Sequence, residues 1–97
     1  MDIVRINKDR LQAILSPVPQ QVTMRQARLA LLGAGLLDQV DAAIASIEDP
    51  TQRRAAEIEW EYAQTVDRNS PFVQQLSAGL GLTDEQKDQL FRTASQL

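Results

Sequence analysis

The 97-residue sequence predicts an all-α protein: a compact bundle of four or five short helices behind a mobile N-terminal arm. Three observations carry this. Apolar residues recur at three-and-four spacing in successive stretches, and no stretch alternates persuasively with the two-residue period of a strand. Helix-opening residues stand just ahead of these stretches, and Gly or Pro punctuates between them. The intervening segments are short, which favours neighbouring helices packing directly on one another.

Residues 1–22 stand apart as an arm and linker, and residues 23–97 form the helical domain. Ile3, Val4 and Ile6 are too few to set a period, and Lys8 to Leu15 can form about two helical turns. Ser16-Pro17-Val18-Pro19 then stops any helix, because each Pro lacks an amide donor and biases its predecessor toward extended geometry. Alone, such an arm has little to bury, so it is expected to order against a partner.

The organising stretch is Thr23 to Ile47. Thr23 opens the first main helix, with Gln26 three residues on to complete a capping box. Met24, Ala27, Leu31 and Ala34 share a face, and Gly33 and Gly35 offer the positive φ that ends the helix. Leu36–Ile47 follows as a second helix, with Leu36, Leu37, Val40, Ala43, Ile44 and Ile47 inward and Asp38 and Asp41 near its positive dipole end.

Asp49-Pro50 restarts the chain as an N-cap followed by a first-turn Pro. The third helix is expected over Pro50–Val66, with Ala55, Ile58, Tyr62 and Val66 on one stripe and Ala56, Trp60 and Ala63 on the next. Tyr62 reads as core, and Arg53 is spaced to pair with Glu57. Ser70-Pro71 opens a fourth helix to Ala78, closed by Gly79 and Gly81. Thr83, with Gln86, caps a fifth helix to Ser95, whose stripe is Leu90, Phe91, Ala94 and Leu97.

Composition narrows the chemistry. The sequence has neither Cys nor His, so disulfides, thiol catalysis and the commonest general base and metal ligands are missing together. No apolar run approaches the ~20 residues that span a bilayer, and MDIVRINKDR lacks the apolar core of a secretory signal, so a cytoplasmically made protein is expected. Residues 1–30 carry five basic groups against two acidic ones, whereas residues 31–97 carry five against eleven. A basic head on an acidic body suits docking onto an acidic protein surface better than broad phosphate-backbone binding.

Glu57, Glu59 and Glu61 around Trp60 are the one cluster that invites an enzymatic reading. A carboxylate acid needs burial or a like-charged neighbour to raise its pKa, and carboxylates at this spacing usually line a solvated helix face. No catalytic, cofactor-binding or metal-binding residue is therefore assigned. The Gly33 break invites a helix-turn-helix reading, but the helix after it has no basic residue and starts with two Asp, which phosphate would repel. Neither Gly-X-Gly pair follows a strand or ends in the Lys-Ser/Thr of a phosphate loop; helix termination accounts for both. Trp60 reads either as the core anchor of the third helix or as an interface hot spot. The candidate partner-binding set is Arg5, Lys8, Arg10, Arg25, Arg28 and Trp60.

Three blocks in order, VTMRQARLALLGAGLLDQVDAAI, AAEIEWEYAQTVDRNSPFV and LGLTDEQKDQLF, resemble a group of short proteins from the tail or tail-fibre region of tailed phages and prophages. The resemblance covers residues 22–97 and leaves the arm outside. It implies a non-enzymatic virion tail component, made in the host cytoplasm, that binds a tail-fibre or baseplate protein. The alternatives are a transient tail-fibre assembly chaperone and a small nucleic-acid-binding phage regulator. It brings no catalytic residues and no cofactor to carry over.

Overall fold

A computed structural model describes residues 17–97. The expected helix at 8–15 and the basic residues Arg5, Lys8 and Arg10 lie outside the described residues. Among the described residues, five α-helices build an all-α bundle: α1 Met24–Gly33, α2 Val40–Ala45, α3 Pro50–Tyr62, α4 Pro71–Leu80 and α5 Asp84–Ala94. Helix α1 packs chiefly on α5, and α2 on α4. Thr23 and Gln26 form the full capping box of α1, as do Thr83 and Gln86 at α5. Asp49 accepts from the amides of Thr51 and Gln52, and Ser70 from that of Val73. Each cap satisfies donors the first turn would otherwise leave unpaired.

A short ribbon adds two strands where the sequence shows no alternating pattern. β1 (Gln21–Thr23) pairs antiparallel with β2 (Thr65–Asp67), with Val22 opposite Val66. The Met24 amide donates to the Gln64 carbonyl and the Arg68 amide to the Gln20 carbonyl, both at 2.9 Å. The third helix accordingly stops at Tyr62 rather than Val66, and Ala63 is already extended at φ −67°, ψ 138°. Thr65-Val66 and Val22-Thr23 are β-branched pairs suited to a pleated surface. Three-residue strands hold a single inward side chain each, so they leave no alternation to detect. Val22 is 4 % exposed and belongs to the core. The helical domain therefore packs from before Thr23, and the 22/23 boundary falls inside a strand.

The second helix is also shorter than expected. Gly35 at φ +74° turns the chain, and the amides of Leu36 and Gly35 return to the carbonyls of Leu31 and Leu32 at 2.9 and 3.1 Å. This is a Schellman closure, and Gly81 at φ +70° repeats it after α4. A 3₁₀ turn, Leu37–Gln39, takes the place of the first helical turn before α2 begins.

Gly79 corrects the helix-termination reading. It lies within α4, and a Cβ built on it would stand 2.9 Å from Ala43 Cβ and 3.1 Å from the Ala43 carbonyl oxygen. Its missing side chain lets α2 and α4 approach closely.

Candidate partner-binding surface

Trp60 is 9 % exposed and belongs to the cluster that includes Val22, Leu31, Val66, Phe72 and Phe91. Of the two readings open to it, the buried core anchor is the one realised. Arg28, one of the expected contact residues, is committed to the same anchor. Its guanidinium carbon lies 4.0 Å from the indole centroid, and the guanidinium donates to the Trp60 backbone carbonyl. The cation sits on the negative face of the ring. Arg28 thus clasps α1 to α3, whereas Arg25 on the same helix is exposed. Within the described residues, the expected contact set splits into a buried Trp60 with half-buried Arg28 over its ring, and one outward cation, Arg25.

Helix α3 turns the other way from the first expected stripe. Ala56 and Trp60 face inward, while Ile58 is 50 % and Tyr62 75 % exposed. The expectation of Tyr62 as core fails for a geometric reason: both stripes have helical spacing, and the larger ring with its cation partner takes the interior. Arg53 does not pair with Glu57; it donates to the Ile47 carbonyl at 2.9 Å and closes the α2–α3 turn. Arg54 makes the pair instead, at 3.0 Å from Glu57.

The carboxylates around Trp60 do not converge. Glu57 is held by Arg54, and Glu59 and Glu61 are exposed on different flanks of α3. Among the described residues, no three acidic side chains are grouped to hold a metal ion. Two ion pairs involve α5 instead, one tying it to the chain beyond β2 and one within its own first turn. Asp88 is bound by Arg68, just beyond β2, at 2.7 Å, and Asp84 by Lys87 at 2.9 Å. The hydrogen-bonded Lys87 ammonium, aided by its charge, holds the Asp84 carboxyl below its ordinary value of 3.8.

Two concavities differ in what they can accept. A cavity of about 60 Å³ lies in the core among Leu31, Trp60, Phe72, Leu76 and Phe91. It is a packing gap, far below the roughly 300–1,000 Å³ that small-molecule sites occupy. A shallow groove of about 690 Å³ runs between α1 and α5 and over the α4–α5 turn, lined by Leu29, Leu36, Leu82, Leu90 and Leu97 with Gln86, Gln89 and Thr93 along it. No ionisable side chain lines it, so it offers apolar contact and neutral hydrogen bonding rather than proton transfer. Leu36 and Leu90 pack partly against the core, as their inward stripes lead one to expect, whereas Leu97 is 48 % exposed; that the three open onto one groove is a product of how α1 and α5 meet. Among the described residues, no helix is long and apolar enough to cross a membrane.

Comparison with protein-family models, with curated proteins and with solved structures finds no match to this chain.

Proposed function

We propose that this protein is a non-enzymatic, tail-associated accessory protein of a tailed phage or prophage, and that it binds a tail-fibre or baseplate protein. The groove is the observation that carries the reading. It gathers leucines from α1, α5 and the turn before α5, and it lacks the converging acid and base that catalysis needs. The partner's apolar side chains enter the groove, and the basic surplus of residues 1–30, including Arg5, Lys8, Arg10 and exposed Arg25, steers an acidic rim of that partner onto it. Trp60 and Arg28 contribute by holding α1 against α3 rather than by touching the partner. The Val22–Leu97 resemblance supports the phage assignment of that partner.

Mass spectrometry of purified particles, alongside pull-down from infected cells, tests this directly. Stoichiometric presence in the virion and capture of a fibre or baseplate protein are expected. Capture of the same protein with absence from finished particles would make it an assembly chaperone. Salt-steep retention on DNA would overturn the reading in favour of a nucleic-acid-binding regulator.

The groove is also where a single change should act. Leu90→Lys, at a partly buried position in the groove wall, is expected to abolish capture, and Arg25→Glu to weaken it in a salt-dependent way. Circular dichroism of both variants separates lost binding from lost folding.

A further inference from the structure

Helix α3 carries a second line of side chains that the bundle does not use. Thr51, Ala55, Ile58 and Tyr62 follow one another at intervals of four, three and four, the spacing of a coiled-coil seam. All four are exposed, and the line lies on the opposite side of the helix from Ala56 and Trp60. We propose that this line is a self-association face, through which two copies of the chain pair α3 against α3 in antiparallel fashion about a two-fold axis.

The seam itself selects a second copy. With the axis passing between Ala56 and Glu57, Ala55 of one copy faces Ile58 of the other, and Thr51 faces Tyr62. A small residue then opposes a large one in each layer, which is how facing helices interdigitate. A parallel pairing would set Ala55 on Ala55 and Tyr62 on Tyr62, leaving one layer empty and crowding another.

Charge points the same way. Arg54 and Glu61 are seven residues apart on one flank of the seam. Reversing one helix brings the same flank of both copies together, so Arg54 of each copy meets Glu61 of the other, twice by symmetry. Arg54 is available for this exchange: its side chain is 77 % exposed, and its present partner is Glu57 on the same helix surface, a weak solvent-screened pair.

No residue of the groove lining belongs to α3. Pairing through α3 therefore leaves two grooves per dimer open, and the inference does not depend on the partner proposed above. Two grooves on one particle would suit a partner that is itself oligomeric, by raising the effective concentration of the second contact. One helix of 13 residues per copy makes a small interface, so the expected dissociation constant is on the order of 10⁻⁴ M.

Sedimentation equilibrium of the full chain, from about 10 µM to 1 mM, reads this out. A monomer–dimer equilibrium is expected, with Tyr62→Lys raising the dissociation constant at least about tenfold while the helical signal is unchanged. Arg54→Glu weakens the dimer several-fold, and the double exchange Arg54→Glu with Glu61→Arg restores it. The sequence has no Cys, so orientation can be read by oxidation. Thr51→Cys mixed with Tyr62→Cys is expected to yield a linked dimer. Tyr62→Cys alone is not, because its two sulfurs would stand about 16 Å apart along the helix axis. A monomer at every concentration, a dimer indifferent to Tyr62→Lys and to the charge exchange, or self-linking by Tyr62→Cys would each overturn the proposal.

Discussion

The two faces of α3 have much the same composition and opposite fates. One carries Ala56 and Trp60 into the core; the other carries Ala55, Ile58 and Tyr62 into solvent. Both have helical spacing, and both mix a small residue with a large apolar one. What separates them is what each finds across the interface. Trp60 meets a shaped apolar surface and a guanidinium that covers its ring and bonds its backbone carbonyl. Tyr62 stands at the last turn of the helix, where the chain leaves for β2. Spacing decides that a helix will have a buried face, and the neighbouring elements decide which one.

Substitution can break that contrast most sharply at Trp60. Trp60→Ala is expected to cost about 3–5 kcal/mol, read by urea denaturation, because it removes the largest side chain of the core and leaves Arg28 without its ring. A cost below about 1 kcal/mol would show that the inner face is not the stabilising one.

The same contrast between inward and outward recurs at two glycines. Gly79→Ala should cost about 1–3 kcal/mol, since the new methyl presses on the Ala43 side chain and backbone and forces α2 and α4 apart. Gly33, at the end of α1, has open space where a Cβ would go. Gly33→Ala should stabilise by about 0.4–1 kcal/mol, chiefly by narrowing the unfolded ensemble. Both are read as shifts in the denaturation midpoint at constant slope.

On the outer face, Ile58→Ser and Tyr62→Ser are expected to change monomer stability by no more than about 0.5 kcal/mol. A loss comparable to that of Trp60→Ala would erase the distinction between the two faces.

The smallest expected effect is one of pH and concerns α5. Lys87 lowers the folded-state pKa of Asp84 beneath 3.8. A carboxyl so depressed contributes stability that is present above its unfolded value and is lost as pH falls through the folded one. Asp84→Asn should therefore flatten the most acidic limb of a stability–pH curve and leave the neutral region nearly unchanged. Because Asp84 is fully exposed, solvent screening keeps this contribution small.

Much of the architecture was legible because it is written in local chemistry. Thr23, Asp49, Ser70 and Thr83 cap the helices they precede, and Gly35 and Gly81 take the positive φ that a helix exit needs. Those interactions join residues two to five apart, so residue order alone suffices to find them. The β1–β2 ribbon was not legible, since Val22 and Val66 meet only after the chain has folded back across α1, α2 and α3. The outward turn of Leu97 and of the outer stripe was not legible for a related reason. Leu97, Ile58 and Tyr62 all have core-like spacing, and periodicity carries no information about how many helices are present to cover them.

The sequence by itself determined the all-α class, the caps and turns that delimit its helices, and the uneven distribution of charge. These follow from backbone hydrogen-bonding needs and side-chain chemistry within a few residues. Tertiary structure alone decided which stripe of α3 is buried, that Arg28 serves Trp60, that Gly79 admits Ala43, and which leucines stay open between α1 and α5. Those are outcomes of competition for a limited interior, where the apolar surface of five short helices exceeds what a bundle this small can enclose.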